Sequence, residues 1–362
     1  MIIRAFVAIM TAGAVVFSAT PAAADDVVHR VLYVTNWGSD NISAFQVADD
    51  DTLIAPPTLA PVPAGAHEPL AAVESSDGRH LYVTNWGSGG VSTFAIAPDG
   101  ALSPVVTVGT GLVNSAGITV RGNRLYVANF NNRAAGTLTT FGIGTDGSPT
   151  VLTTQDSRGR GSAGVAVSPD GHHLAMANMG SGDVSLFRID GDGMPVWSAT
   201  RETAVGAFFP AFTTDGRFLL VANAEADSLS VLGVDGDAQL VTTIPSGGNG
   251  PRGLAIDSAR TVHVAHYNEG TLPGSVTSFA ITPDGHLVPL GDPVSTSGNG
   301  AEAIVAHGNS LYVANFNTDG PGSVAALRLK AGNRPQLMGD PTMTGGLEPD
   351  FGSIVVHTLA PK

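Results

Sequence analysis

The sequence predicts an all-β fold, a seven-bladed β-propeller with four antiparallel strands per blade, and three features carry that prediction. One stretch returns seven times. It reads Leu32-Tyr33-Val34-Thr35-Asn36-Trp37-Gly38-Ser39, then Leu81-Tyr82-Val83-Thr84-Asn85-Trp86-Gly87-Ser88, with weaker copies ending at Asn129, Asn178, Asn223, His266 and Asn315. Between the Asn positions, His266 standing in for the sixth, the intervals are 49, 44, 49, 45, 43 and 49 residues, a period that belongs to propellers or solenoids. Finally, the 46 Gly and 23 Pro fall between Val-, Leu- and Thr-rich runs as turn punctuation, and no segment reads as a long amphipathic helix.

Taken in order, the chain opens with Arg4, an apolar run to Val16 and Ala22-Ala23-Ala24, which reads as a secretory signal peptide over residues 1–24 rather than a membrane span. Residues 25–362 are then expected to form a single propeller domain, secreted or periplasmic, free of the membrane and monomeric. Residues 162–196 show one unit: Ala163–Val167, the turn Ser168-Pro169-Asp170-Gly171, Leu174–Asn178, Val184–Ile189, the turn Asp190-Gly191-Asp192-Gly193, and a weaker strand near Val196. The Asp-Gly turns recur near Asp50, Asp99, Asp146, Asp235 and Asp284, and suit hairpins that need positive backbone angles. Asp190 and Asp192 lack the rest of a calcium loop.

Closure follows from a mismatch at the two ends. The inner-strand motif has a last copy at Gly352-Ser353-Ile354-Val355-Val356 with no second strand after it, whereas the first Tyr-Val-Thr-Asn copy has too few residues before it for an inner strand. The C-terminus should therefore complete the N-terminal blade and leave no open sheet edge.

There is no Cys, so disulfides and thiol chemistry are excluded, and the core and sheet hydrogen bonds must hold the domain. The formal charge of −14 becomes −15 when Arg4 leaves with the signal; such a surface repels a phosphate backbone, and nucleic acid is not an expected partner. Gly159–Gly164 and Gly248–Gly253 fit Gly-x-Gly-x-x-Gly, but each precedes a strand and opens no helix, so neither reads as a dinucleotide site. No cofactor or metal is expected.

These repeats resemble the seven-bladed lactonase family that includes 6-phosphogluconolactonase and the carboxymuconate lactonising enzymes, over about residues 30–357. The resemblance implies a polar pocket at one end of the central channel, acting on lactones of sugar acids or of aromatic-degradation products. At two places where the family often carries a His and a Glu, this chain has Phe208-Phe209-Pro210-Ala211-Phe212 and Ala224 followed by Glu225.

Candidate site residues are the departures from the repeat on the face that carries the loops after each Asn. The repeat Asn itself, present in six copies, is read as structural, its amide bonding nearby backbone. In blade 6 His266 replaces it, followed by Tyr267-Asn268-Glu269. Arg252 and Glu302 hold equivalent places in Gly-Asn-Gly-Pro-Arg-Gly and Gly-Asn-Gly-Ala-Glu-Ala, where other copies have Leu70, Ala116 and Ala163. Two functions follow. In an exported lactonase or cycloisomerase-like hydrolase acting on a small anionic lactone, Arg252 would bind the substrate carboxylate, Glu302 or Glu269 would activate water and His266 would protonate the leaving oxygen. Tyr267, Trp37 and Trp86 would bind substrate. In a non-catalytic propeller the same aromatic rim would hold an extracellular protein or glycan, and the Arg252–Glu302 pair would be a rim salt bridge.

Overall fold

The computed structural model describes residues 30–235, 238–318 and 320–359; the expected signal segment lies outside them. Blade 2 shows the unit, with strands Pro69–Glu74, His80–Asn85, Gly90–Ile96 and Leu102–Gly109 paired antiparallel from the channel outward. The inner strands of blades 3 to 7 are Ser115–Arg121, Ser162–Val167, Ala207–Phe212, Pro251–Ile256 and Ala301–His307. Each touches the next, and Ile354–Thr358 bridges blade 7 to blade 2 and closes the ring. That last strand pairs antiparallel with Arg30–Asn36, Leu32 opposite Val356 and Val34 opposite Ile354, so the C-terminus completes the N-terminal blade as the sequence predicts.

The second strands are buried on both faces because each sheet is sandwiched between two others; Leu32, Tyr33 and Val34 are all 0% exposed. The outer strands, such as Leu102–Gly109, turn most of their residues to the surface. In blades 1, 6 and 7 the outer strand is split, with breaks at Pro56-Pro57, Gly291-Asp292-Pro293 and Gly339-Asp340-Pro341. Pro withholds a donor at these outer edges and discourages pairing with another chain.

Two kinds of polar lock tie the blades. Tyr33, Tyr82, Tyr126 and Tyr312 donate their hydroxyls to the carbonyls of Gly100, Gly147, Gly193 and Asp51 in the adjacent blade, at 2.7, 2.9, 2.8 and 3.2 Å. The acidic turns carrying those carbonyls are held by their own carboxylates; Asp190 Oδ1, for example, accepts from the Asp192 and Met194 amides. No cluster of three potential metal ligands occurs among the described residues. The repeat Asn forms the second lock, and its partner is mainly a hydroxyl rather than the backbone. Asn36, Asn85, Asn178 and Asn223 donate Nδ2 to Ser43, Ser92, Ser185 and Ser230 on the third strand of their own blade, at 2.8–3.0 Å. The side chain points into the sheet stack, where a short amide and a hydroxyl can satisfy each other.

Candidate functional site

The face that bears the site is built by one hydrogen bond repeated seven times. The residue after each Asn, or after His266, donates its amide to the residue that leads into an inner strand: Trp37 to Glu348, Trp86 to Glu68, Phe130 to Asn114, Met179 to Gly161, Ala224 to Gly206, Tyr267 to Gly250 and Phe316 to Gly300, all at 2.8–3.0 Å. Every acceptor residue is left-handed, with φ between 54° and 76°. Gly adopts that conformation freely in four blades, whereas Glu68, Asn114 and Glu348 hold it at a steric cost. Glu68 and Glu348 fold back over Gly87 and Gly38, where a Cβ would come within 2.8 and 2.7 Å of a carboxylate oxygen, which accounts for Trp-Gly-Ser in both strong copies.

Two residues beyond each acceptor, a ring of side chains forms the channel mouth: Leu70, Ala116, Ala163, Phe208, Arg252, Glu302 and Asp350. Blades 2 to 5 contribute only apolar groups, which cluster with Phe351. Blades 6, 7 and 1 contribute a cation and two acids in succession. A cavity of about 310 Å³ opens here, walled by Trp37, Trp86, Phe130 and Met179, floored by Phe208 and Phe351, and reached by Arg252, Arg133 and Asp350.

Arg252 is held by rings more than by its acid. Its guanidinium lies 4.6 Å from the centre of Phe208 and 5.0 Å from that of Tyr267, and Tyr267 meets Phe316 edge-on at 5.9 Å. Burial raises the Glu302 carboxyl to about 8; Arg252 opposes that rise and Asp350 adds to it. Burial also raises Asp350, against the opposing pull of the Phe351 amide, 2.6 Å away, and of Arg252. At neutral pH the mouth therefore holds a fixed cation with two carboxyls of raised proton affinity, the arrangement in which one acid and one base coexist.

The sequence-derived residues divide under this geometry. Arg252, Trp37 and Trp86 line the cavity; Glu302 lies behind Arg252, 3% exposed; Tyr267 backs the guanidinium. Glu269 is exposed on the blade 6 loop, outside the cavity lining. His266 is also outside it. The ring is 0% exposed inside blade 6, in the slot that Asn fills elsewhere, facing the backbone of Ser246 and Ser275. Burial lowers it to about 4, and Asn268 reaches the Ser275 hydroxyl in its place, at 3.3 Å. The expected leaving-group acid is thus separated from the cavity by the direction its strand position imposes. Asp350 and Phe351 are the residues that sequence reasoning missed as site members. Glu348-Pro349-Asp350 repeats Glu68-Pro69-Leu70, and that match was the available signal.

The family model described as lactonase, 7-bladed beta-propeller, matches residues 99–207 and 211–272. The two matched stretches cover 171 of the 362 residues, and there the chain resembles that family. Among solved structures, this propeller is similar to a putative 6-phosphogluconolactonase of Bacteroides fragilis, with 17% identity, a TM-score of 0.77 and coverage of 92% of this chain and 99% of that one. It is also similar to the periplasmic gluconolactonase of Pseudomonas aeruginosa, with 18% identity, a TM-score of 0.77 and coverage of 91% and 99%. Those identities speak for the shared fold alone. No curated protein sequence matches the chain.

Proposed function

We propose that this propeller is an exported hydrolase that opens a small lactone, carboxylated or otherwise polar, in the cavity at the channel mouth. The observation that carries the reading is the break in the mouth ring: Arg252, Glu302 and Asp350 stand in consecutive blades where the other four are apolar. Residues 1–24, with the features of a signal peptide, support export.

In this reading the ring of the lactone lies against Trp37, Trp86 and Phe130, which offer apolar faces to a small cyclic substrate. Asp350 takes a proton from water as the water oxygen bonds to the lactone carbonyl carbon. The charge that develops on the carbonyl oxygen is met by Arg252. The bond from carbonyl carbon to ring oxygen then breaks, Asp350 returns its proton to that oxygen, and the product is a hydroxy acid. Glu302 lies outside the cavity lining, 3.8 Å from Arg252, and is assigned a positioning role beside it, while burial and Glu348 raise the proton affinity of Asp350.

A second reading rests on the tilted Trp86–Phe130 pair, with centres 5.0 Å apart, which would also suit a glycan or protein partner held without chemistry. A hydrolysis screen against sugar-acid and muconate-type lactones, read by acid release, separates the two. Turnover that falls on Asp350→Asn is expected of the hydrolase, whereas no turnover above buffer across the panel leaves the binder.

A further inference from the structure

A second site comes from a missing tyrosine. In blades 1, 2, 3 and 7 the second strand carries Tyr33, Tyr82, Tyr126 or Tyr312, fully buried and bonded to the next blade. Blade 5 has Leu220 there, packed into a continuous core with blade 6, and blade 6 has His263, bonded to Ser278 at 2.8 Å. Blade 4 has Ala175, which belongs to the core shared with blade 5. Leu186, opposite Ala175 in register, is larger than the Ala44, Thr93, Thr140 and Ala326 that face the four tyrosines, and takes back part of the space.

The remainder is empty. A pocket of about 80 Å³ lies between blades 4 and 5, bounded by Leu186, Ala199, Phe212, Leu219 and Val234. Past His173 and Arg188 it continues into an open groove of about 560 Å³ that also holds Asp170, Asp215, Asp235 and a second cation, Arg217. Of the three acids, Asp170 is engaged with Ser168 and the His172 amide and Asp215 with Thr213 and Arg260, while Asp235 shares the groove with Arg217. No ion pair of Arg188 is found among the described residues. An apolar slot that no side chain fills, with a cation at its open end, fits a flat ring carrying an anionic group.

We infer that the junction of blades 4 and 5 is a binding site for a small monocyclic aromatic acid, its ring in the slot left by Ala175 and its carboxylate at Arg188. The ring replaces the tyrosine ring of four other junctions, so binding also ties the two blades together. This site is independent of the mouth cavity and of any hydrolysis there.

The test uses benzoate with the purified protein, followed by calorimetry and by the melting temperature. One-to-one binding that raises the melting temperature is expected. Arg188→Gln should weaken affinity at least tenfold, and Ala175→Tyr should abolish binding. Ala199→Leu, which narrows the slot from the opposite wall, serves if Ala175→Tyr does not fold. Arg252→Met should leave benzoate binding unchanged. Absence of benzoate binding at millimolar concentration, binding retained in a folded Ala175→Tyr or Ala199→Leu variant, equal affinity for phenol and benzoate, or loss on Arg252→Met would each overturn the inference.

Discussion

Arg252 Nε stops 3.8 Å short of Glu302 Oε2, and neither atom finds a hydrogen-bond partner. The pair is close enough to feel each other's charge and too far apart to be closed as a salt bridge. The cation is steadied by the faces of Phe208 and Tyr267, and its hydrogen-bonding capacity stays available to a ligand.

Glu302 should make the fold lose stability as the medium becomes alkaline. Its folded value of about 8 lies above the ordinary 4.5, so the folded protein holds the extra proton between those limits. The contribution is fully present below about 4.5 and is lost as pH rises through about 8. Melting curves across that range should fall less steeply for Glu302→Gln than for the parent. Parallel curves would show that the carboxyl ionises in the folded state as it does in water.

His266 should act in the opposite pH direction and leave catalysis alone. Its folded value of about 4 lies below the ordinary 6.5, so its contribution is present above 6.5 and is lost as pH falls through about 4. His266→Asn restores the side chain used in the other blades. The variant should resist acid better while keeping lactone turnover within about twofold, against the hundredfold or greater fall expected for a lost proton donor.

At the cavity, Arg252→Met should reduce lactone turnover by about two orders of magnitude, the usual consequence of removing one group that meets a developing oxyanion. Because the side chain fills similar space between Phe208 and Tyr267, the melting temperature should change little. A variant that melts early and hydrolyses normally once folded would make Arg252 a packing element only.

The two locks can be weighed separately. Asn85→Ala removes the donor to Ser92, and Tyr82→Phe removes the hydroxyl that reaches Gly147; each should cost about 1–2 kcal/mol in denaturant titrations. Neither touches the mouth cavity, so activity per folded molecule should be unchanged.

Much of this architecture was legible because a propeller repeats its physics: a doubly buried second strand recurs with each blade, the Asn lock in six and the Asp-Gly turn in most. Arg252 and Glu302 were legible as departures, since their flanking glycines fix the register. Asp350 was hidden by two extra residues. Six positions separate Glu348 from Ile354, against four between Glu68 and Ala72, and the surplus brings Phe351 to the channel floor. His266 misled for a different reason. Its position breaks the pattern, but alternation along a strand aims that side chain into the blade rather than toward the cavity.

Removing residues 352–362 should strip the N-terminal blade of its inner strand, expose the edge of Arg30–Asn36 and lower the melting temperature or drive association. A truncated protein that stays monomeric and melts like the parent would contradict the observed pairing.

The closing segment also delivers Asp350 and Phe351, a few residues ahead of Ile354 and later in the chain than every other residue of the mouth. Six blades can be made and packed while the mouth still lacks one acid and one of the two rings of its floor. Synthesis that stops early therefore yields a chain that is both unclosed and incomplete at its cavity, so the proposed chemistry waits on the same residues that seal the ring.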